Sequence, residues 1–245
     1  MMKKRKKWKI KPYANLVSAL LWISRCSRPV ICAAVGILCR YTHNPSKRHW
    51  TALKGVLRYL KGTIDLGIHF SKNSSENDDK IHFYTYSDSD HARDRQDRKS
   101  TTGFVITMSN GPAVWGTVKQ TGHTNSSTEA EYVALGKSNR EAAYTSNLLT
   151  DMGFTPAIPA VIYCDNKAAI FLSDNAKFSE RSKHIPLQYH TIREQVKLNN
   201  IKVVYVPSLD NLADFFTKPL PLKDFLRLRS IIMNLWVRLF VEGSD

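Results

Sequence analysis

The hydrophobic period of this chain changes to two at Ile81, and that change decides its class of fold. Downstream, His82, Tyr84, Tyr86, Asp88 and Asp90 share one face, while Ile81, Phe83, Thr85 and Ser87 share the other, as in a strand. Thr102–Met108 and Ala113–Lys119 are two more strand segments, and Ser109-Asn110-Gly111-Pro112 between them predicts a hairpin. Ser126 opens a long helix to about Met152, and Val161–Cys164 is uniformly apolar, as expected of a strand buried in the middle of a sheet. Asn166–Ser173 and Leu187–Lys197 predict helices, Ile201–Val206 a last strand, and Asn211 onward a helix that Pro219 breaks. Leu222–Phe240 predicts a final amphipathic helix. Strands alternating with helices in this order predict an α/β fold.

Upstream the period is helical. Helices are expected at 13–25, at 29–43 with Pro29 in a first turn, and over His49–Leu60, where Trp50, Leu53, Val56, Leu57 and Leu60 share a face. Gly62 stops the last of these, and Leu66–Phe70 predicts a short apolar strand. The polar loop SKNSSENDDK then marks a boundary. The expected organisation is a basic tail at 1–12, a helical segment at 13–72, a domain at 81–219 and a C-terminal helix at 220–245.

A formal charge of +15 predicts attraction to a polyanion, of which nucleic acid is the commonest. The basic start MMKKRKKWKIK reads as a nuclear-import signal or as a solvated tail. Cys26, Cys32, Cys39 and Cys164 show neither zinc-ligand spacing nor a disulfide framework, which fits an intracellular, reducing location. Arg25, Arg28 and Pro29 cut the apolar stretch 16–39 into pieces shorter than the roughly 20 residues that span a bilayer, so no membrane partner is expected.

Against this basic background, four acids stand at element ends: Asp88 in YTYSDSD, Glu131 in SSTEAEYVAL, Asp165 in VIYCDNKAAI and Asp214 in NLADFFTKPL. Hard divalent cations need several oxygen ligands converging on one spot. Each acid has a rival reading. Asp90 shares the face of Asp88. Ser126 with Glu129 forms one capping box and Thr128 with Glu131 a second. Asp165 stands where a helix cap is also expected, and Asp210 precedes Asp214 by one turn.

The ordered blocks YSDSD, DRKSTTGFV, SSTEAEYVAL, YCDNKAAI, KHIPLQYHTIRE and VPSLDNLADFFTKPL resemble the ribonuclease H domain of copia-type retrotransposon polyproteins. SRPVI and NPSKRHWTALKGVLRYLKGT resemble the reverse-transcriptase connection segment that precedes it, and the likeness covers roughly residues 13–235. The resemblance implies a ribonuclease H-like fold, a five-stranded mixed sheet with helices on both faces, behind a small helical connection segment. It favours Asp88, Glu131, Asp165 and Asp214 as metal-binding catalytic residues over their rivals. It implies two Mg²⁺ ions, with Mn²⁺ as a substitute, Asp88 bridging them, Glu131 and Asp165 on one and Asp214 on the other. It further implies an RNA–DNA hybrid as substrate, the rest of a reverse transcriptase as partner, and a place in a cytoplasmic virus-like particle or the nucleus. Arg98, Lys99, Ser100, Lys119, Lys183, His184 and His190 are the expected nucleic-acid contacts. The chain departs from the resembled pattern at His91, Arg93 and Thr117-Val118-Lys119-Gln120, none a candidate metal ligand.

Three other readings bear on the same residues. A non-catalytic remnant that holds nucleic acid by charge stays open. An integrase of the same fold class would need a Glu near Ile201, where the sequence has no acid. Polymerase activity lacks a Tyr-X-Asp-Asp motif, since Asp78-Asp79 follows Glu76-Asn77 in a polar loop.

Overall fold

The computed structural model describes residues 12–71, 79–92, 94, 97–174 and 190–235. The chain divides into two compact units, Met1–Gly67 and Ile68–Asp245.

The first unit is helical. Helix α1 (Tyr13–Cys26) buries Tyr13, Val17, Leu20 and Ser24 along one face. A 3₁₀ turn at Pro29–Ile31 leads into α2 (Cys32–Cys39), so the single helix expected over 29–43 is split and shorter. Helix α3 (Lys47–Lys61) ends at Gly62 as expected. The Arg28 guanidinium donates to the carbonyls of Thr63 (2.6 Å) and Ile64 (3.2 Å), and the Tyr13 hydroxyl donates to Leu38 O (3.0 Å). These bonds tie the loops to the helices.

The second unit is built on one sheet. Strands β1 (Phe83–Asp90), β2 (Thr101–Met108) and β3 (Gly111–Lys119) form an antiparallel meander. Ser109 and Asn110 both take positive φ, the backbone of a tight hairpin turn whose twist suits the flanking strands. Helix α4 (Ser127–Asp151) crosses back to β4 (Ala160–Cys164), which pairs in parallel with β1, and β5 (Ile201–Tyr205) pairs in parallel with β4. The order is β3-β2-β1-β4-β5. This is the ribonuclease H-like arrangement that the resemblance implied. Helices α5 (Lys167–Asp174) and α6 (His190–Lys197) lie between β4 and β5, and α7 (Asp214–Thr217) and α8 (Leu222–Ile232) follow.

Phe83, Ile106, Ile162, Cys164, Ile201 and Val203 pack with Tyr132, Leu135, Ala142 and Leu149 of α4, and with Ala169 and Ile192. Phe83, Thr85 and Ser87 of β1 are buried as the period-two reading expects, whereas β2 is buried on both faces over Thr101–Ile106. Against expectation, Leu66–Phe70 forms no strand. His69 N–H instead donates to Met233 O (3.1 Å) and Ser71 N–H to Ser109 O (2.9 Å), so this stretch binds its neighbours as an irregular segment. The final helix expected over Leu222–Phe240 ends at Ile232, where the chain turns through Asn234 at φ +51°, and residues 236–240 lie outside the described residues.

One glycine brings α7 to the sheet. Gly103 lies opposite Asp88 in the β1–β2 register. A Cβ there would stand 2.6 Å from Thr217 Cγ2 and 2.9 Å from Ala213 O. Since part of that obstruction is backbone, α7 would have to move. Gly103→Ala is expected to cost about 1–3 kcal/mol of stability, the usual range for overpacking. Thermal melts check this; an unaltered melting temperature would show that α7 docks otherwise.

Candidate metal centre

Each of the four acids is delivered by a different element, and local chemistry frees each from a competing role. Asp88 is buried near the end of β1, and Thr217 Oγ1 donates to its Oδ2. Glu131 is buried in the first turns of α4. Its Oε1 accepts from Ser89 N–H (3.2 Å), while its buried Oε2 has no hydrogen-bond partner among the described residues. The capping role goes to Glu129: Ser126 Oγ accepts from Glu129 N–H (3.1 Å), and Glu129 Oε2 accepts from Asn125 N–H (2.7 Å). Asp165 follows β4, yet the cap of α5 is Asn166, whose Oδ1 accepts from Ala169 N–H (3.0 Å). Asp165 is left with Ser208 Oγ, which donates to its Oδ2 (2.6 Å). Asp214 opens α7 and is buried, with Lys218 Nζ 2.8 Å from its Oδ1. Its rival Asp210 is exposed and pairs with Arg227 (3.3 Å).

These side chains converge. Asp88, Asp165 and Asp214 each place an oxygen within 4.8 Å of the others, and Glu131, Asp165 and the Cys164 thiol do likewise. Asp165 is thus common to both groupings. Two parallel strands ending together, β1 and β4, create this meeting point, and Asn211 seats the α7 turn on it by donating from Nδ2 to Ser87 O (2.9 Å). Thr117 Oγ1, from β3, donates to Phe216 O (2.6 Å) and secures the far end of the turn.

The electrostatics register the crowding. Burial, then the Asp214 charge, push the Asp88 carboxyl up to about 7, against the opposing pull of Lys218 and Thr217. Burial, then Asp88 and Asp165, push Glu131 up to about 9. Asp214 is also raised, by burial first, although Lys218 opposes the shift. A cluster of oxygen donors, most of them buried and one without a partner among the described residues, with proton affinities raised by burial and then by mutual repulsion, suits a hard divalent cation. Glu131→Gln is therefore expected to weaken Mn²⁺ binding by about tenfold or more, because it removes a charge from the cluster. Glu129→Gln is expected to leave Mn²⁺ binding intact and shift stability by less than about 1 kcal/mol, as its role is at the cap. Parallel titrations and melts of the two variants check this, and reversed phenotypes would put the helix frame in error.

The expected nucleic-acid contacts fare differently. Arg98 is exposed, with φ +54°. Lys99 Nζ donates to Thr121 O (2.6 Å). Ser100 is buried, its Oγ accepting from Ala92 N–H (3.1 Å) and bonded to Thr124 Oγ1 (2.8 Å), so it holds a loop together and offers nothing to a phosphate. Lys119 is engaged by Asp94 (2.6 Å) and Asp97 (2.8 Å), so its charge is already matched. Lys183 and His184 lie outside the described residues. His190 begins α6, and its side chain lies outside them too. The sequence reading missed Thr217, Lys218, Ser208 and Asn211. Only Lys218 left a signal, its four-residue offset from Asp214.

Among the described residues, no helix is long and apolar enough to cross a membrane. No family model matches the chain. It is 42% identical over 208 residues to the retrovirus-related Pol polyprotein from transposon RE2 of Arabidopsis thaliana, covering 85% of this chain and 14% of that protein. Identity to the corresponding protein from transposon RE1 of the same plant is 39% over 220 residues, covering 90% and 15%. Identity to that from transposon TNT 1-94 of Nicotiana tabacum is 37% over 221 residues, covering 90% and 16%. The chain thus spans a small fraction, 14–16%, of the length of these relatives. Similar solved structures include the LC11 ribonuclease H1 isolated from compost, at a TM-score of 0.42 and 19% identity over 57% of this chain and 94% of that one. Another is ribonuclease H1 from Halobacterium salinarum, at 0.37 and 17% over 56% and 94%. Being 37–42% identical to three such proteins over 85–90% of its length, the chain belongs to the family of retrovirus-related Pol polyproteins of copia-type transposons.

Proposed function

We propose that this chain hydrolyses the RNA strand of RNA–DNA hybrids, as the ribonuclease H segment of a reverse-transcribing polyprotein. Residues 13–72 would then be a connection segment left from the polymerase portion. The observation that carries the reading is the convergence of Asp88, Glu131, Asp165 and Asp214 from four separate elements at the ends of β1 and β4. Two Mg²⁺ ions, when bound by these carboxylates, would supply an activated water and charge stabilisation for the leaving oxygen. The chain's own part is to hold the ligands. Thr217 fixes one oxygen of Asp88, Ser208 one of Asp165 and the Ser89 amide one of Glu131, which leaves the opposite oxygens for the ions. Burial, with the neighbouring carboxylates, raises the proton affinity of Asp88 and Glu131, so protons compete with the ions and binding is expected to strengthen with pH. The substrate would be recognised by duplex shape and 2′-hydroxyls. Arg98, exposed beside β2, would meet a phosphate.

The test is cleavage of a labelled hybrid by the purified chain. Cutting is expected with Mg²⁺ or Mn²⁺ and not with Ca²⁺, whose larger, looser shell does not hold the required geometry. Only RNA paired with DNA should be cut. Cleavage without metal, or of duplex DNA, would overturn the proposal; hybrid binding without cleavage would favour the non-catalytic remnant.

A further inference from the structure

The two halves of the carboxylate cluster differ in charge compensation. No lysine or arginine forms an ion pair with Glu131 or Asp165 among the described residues, whereas Asp214 carries the Lys218 ammonium at 2.8 Å. Asp88 and Asp165 lie close enough to Asp214 for all three to share one ion. We propose that the Lys218 ammonium is a built-in competitor for the cation held between Asp88 and Asp214, so that a divalent ion enters this half of the site by displacing it. The inference rests on the metal-centre reading above and adds a rule for how the site fills.

The backbone and the side chain together make Lys218 suited to this. It is followed by Pro219, and a residue before proline is held in extended conformations. Lys218 sits there at φ −141° and ψ 154°, directly after the single turn of α7. Its Cα is thus fixed at the edge of the cluster, and the flexible four-carbon stem reaches back one turn. The side chain is 29% exposed, so the ammonium can swing into water when displaced. Burial alone would lower its proton affinity, but Asp88, Asp214 and Asp165 outweigh that and keep it charged. A monovalent ammonium satisfies part of the repulsion between Asp88 and Asp214 and leaves the rest for an ion of higher charge. The Glu131–Asp165 side, without such a cation among the described residues, should fill first.

The proposal predicts two unequal affinities. Titration of the metal-free chain with Mn²⁺, followed by the electron paramagnetic resonance signal of the free ion, is expected to show one tighter and one weaker site. Lys218→Met is expected to tighten the weaker site by about tenfold, the order expected from removing one partly screened charge at contact distance. It should leave the tighter site unchanged. Lys218→Arg, which keeps the charge, should behave like the wild type. A second measurement needs no variant. Acetylation of Lys218 by an amine-reactive reagent, quantified by mass spectrometry, should accelerate severalfold when Mn²⁺ saturates the wild-type chain. An unchanged or weakened second affinity in Lys218→Met, with the first intact, would overturn the competitor role and leave the metal centre standing. Acetylation slowed or unaffected by Mn²⁺ would overturn it equally. If no variant, nor the wild type, bound millimolar Mn²⁺, the metal-centre reading itself would fall.

Discussion

Asp165→Asn is expected to reduce hybrid cleavage by about a thousandfold or more while leaving the fold intact. A carboxylate that holds catalytic ions contributes several kcal/mol of charge stabilisation, and each 1.4 kcal/mol or so is a tenfold change in rate. Asp165 should stand at the upper end because it is shared by both groupings of donors, so its loss affects both. The structural cost is small. The cap of α5 belongs to Asn166, and an asparagine oxygen at 165 can still accept from Ser208. Removing one negative charge from a crowded cluster relieves repulsion, so the melting temperature in chelator should rise or stay level. Cleavage of labelled hybrid and calorimetric melts check both halves. Turnover like the wild type would remove Asp165 from the ligand set, and a large drop in melting temperature would reassign it to structure.

The metal-free chain is expected to lose stability as pH rises, and divalent cation to restore it. Asp88 titrates at about 7 in the fold against an ordinary 3.8, and Glu131 at about 9 against 4.5. The folded chain therefore binds these protons more tightly than the unfolded one. Where the folded form holds more protons, stability falls with rising pH. The loss from this pair begins near pH 4, where the unfolded chain starts to ionise, and is complete above about 9. Magnesium offsets the repulsion that appears as the protons leave. Melting curves across this range, in chelator and in millimolar Mg²⁺, should separate increasingly as pH rises. The double variant Asp88→Asn, Glu131→Gln should flatten the chelator curve. Parallel curves at all pH values would mean that the cluster does not bind the ion.

Much of this site was legible in the sequence because each acid sits in a short block with its own local signature. Asp88 ends an alternating run, Asp165 follows an apolar one, and the Ser126–Glu129 box leaves Glu131 as the unemployed acid of its helix. What stayed hidden depends on residues far apart in the chain. Thr217 meets Asp88, and Asn211 meets Ser87, only once the sheet has formed and Gly103 has let the turn approach. Lys119 is among the expected nucleic-acid contacts; the sequence does not show that Asp94 and Asp97 close around it. Leu66–Phe70 was read as a strand because a short apolar run carries no information about whether a partner strand exists.

The single turn of α7 has a consequence for how the molecule fails on warming. Its four residues close few helical hydrogen bonds of their own, such as Lys218 N–H to Asp214 O at 3.4 Å, too few to hold a helix by themselves. The turn keeps its place through tertiary contacts, the buried Phe215 and Phe216 and the bonds of Asn211, Thr117 and Thr217. It is therefore a segment that opens at a lower free energy than the sheet beneath it. Amide exchange at residues 214–218 should outpace that of β1 and β4 by orders of magnitude. Heat should then extinguish catalysis several degrees before the sheet melts, because the fourth acid departs with the turn while the other three remain where they were.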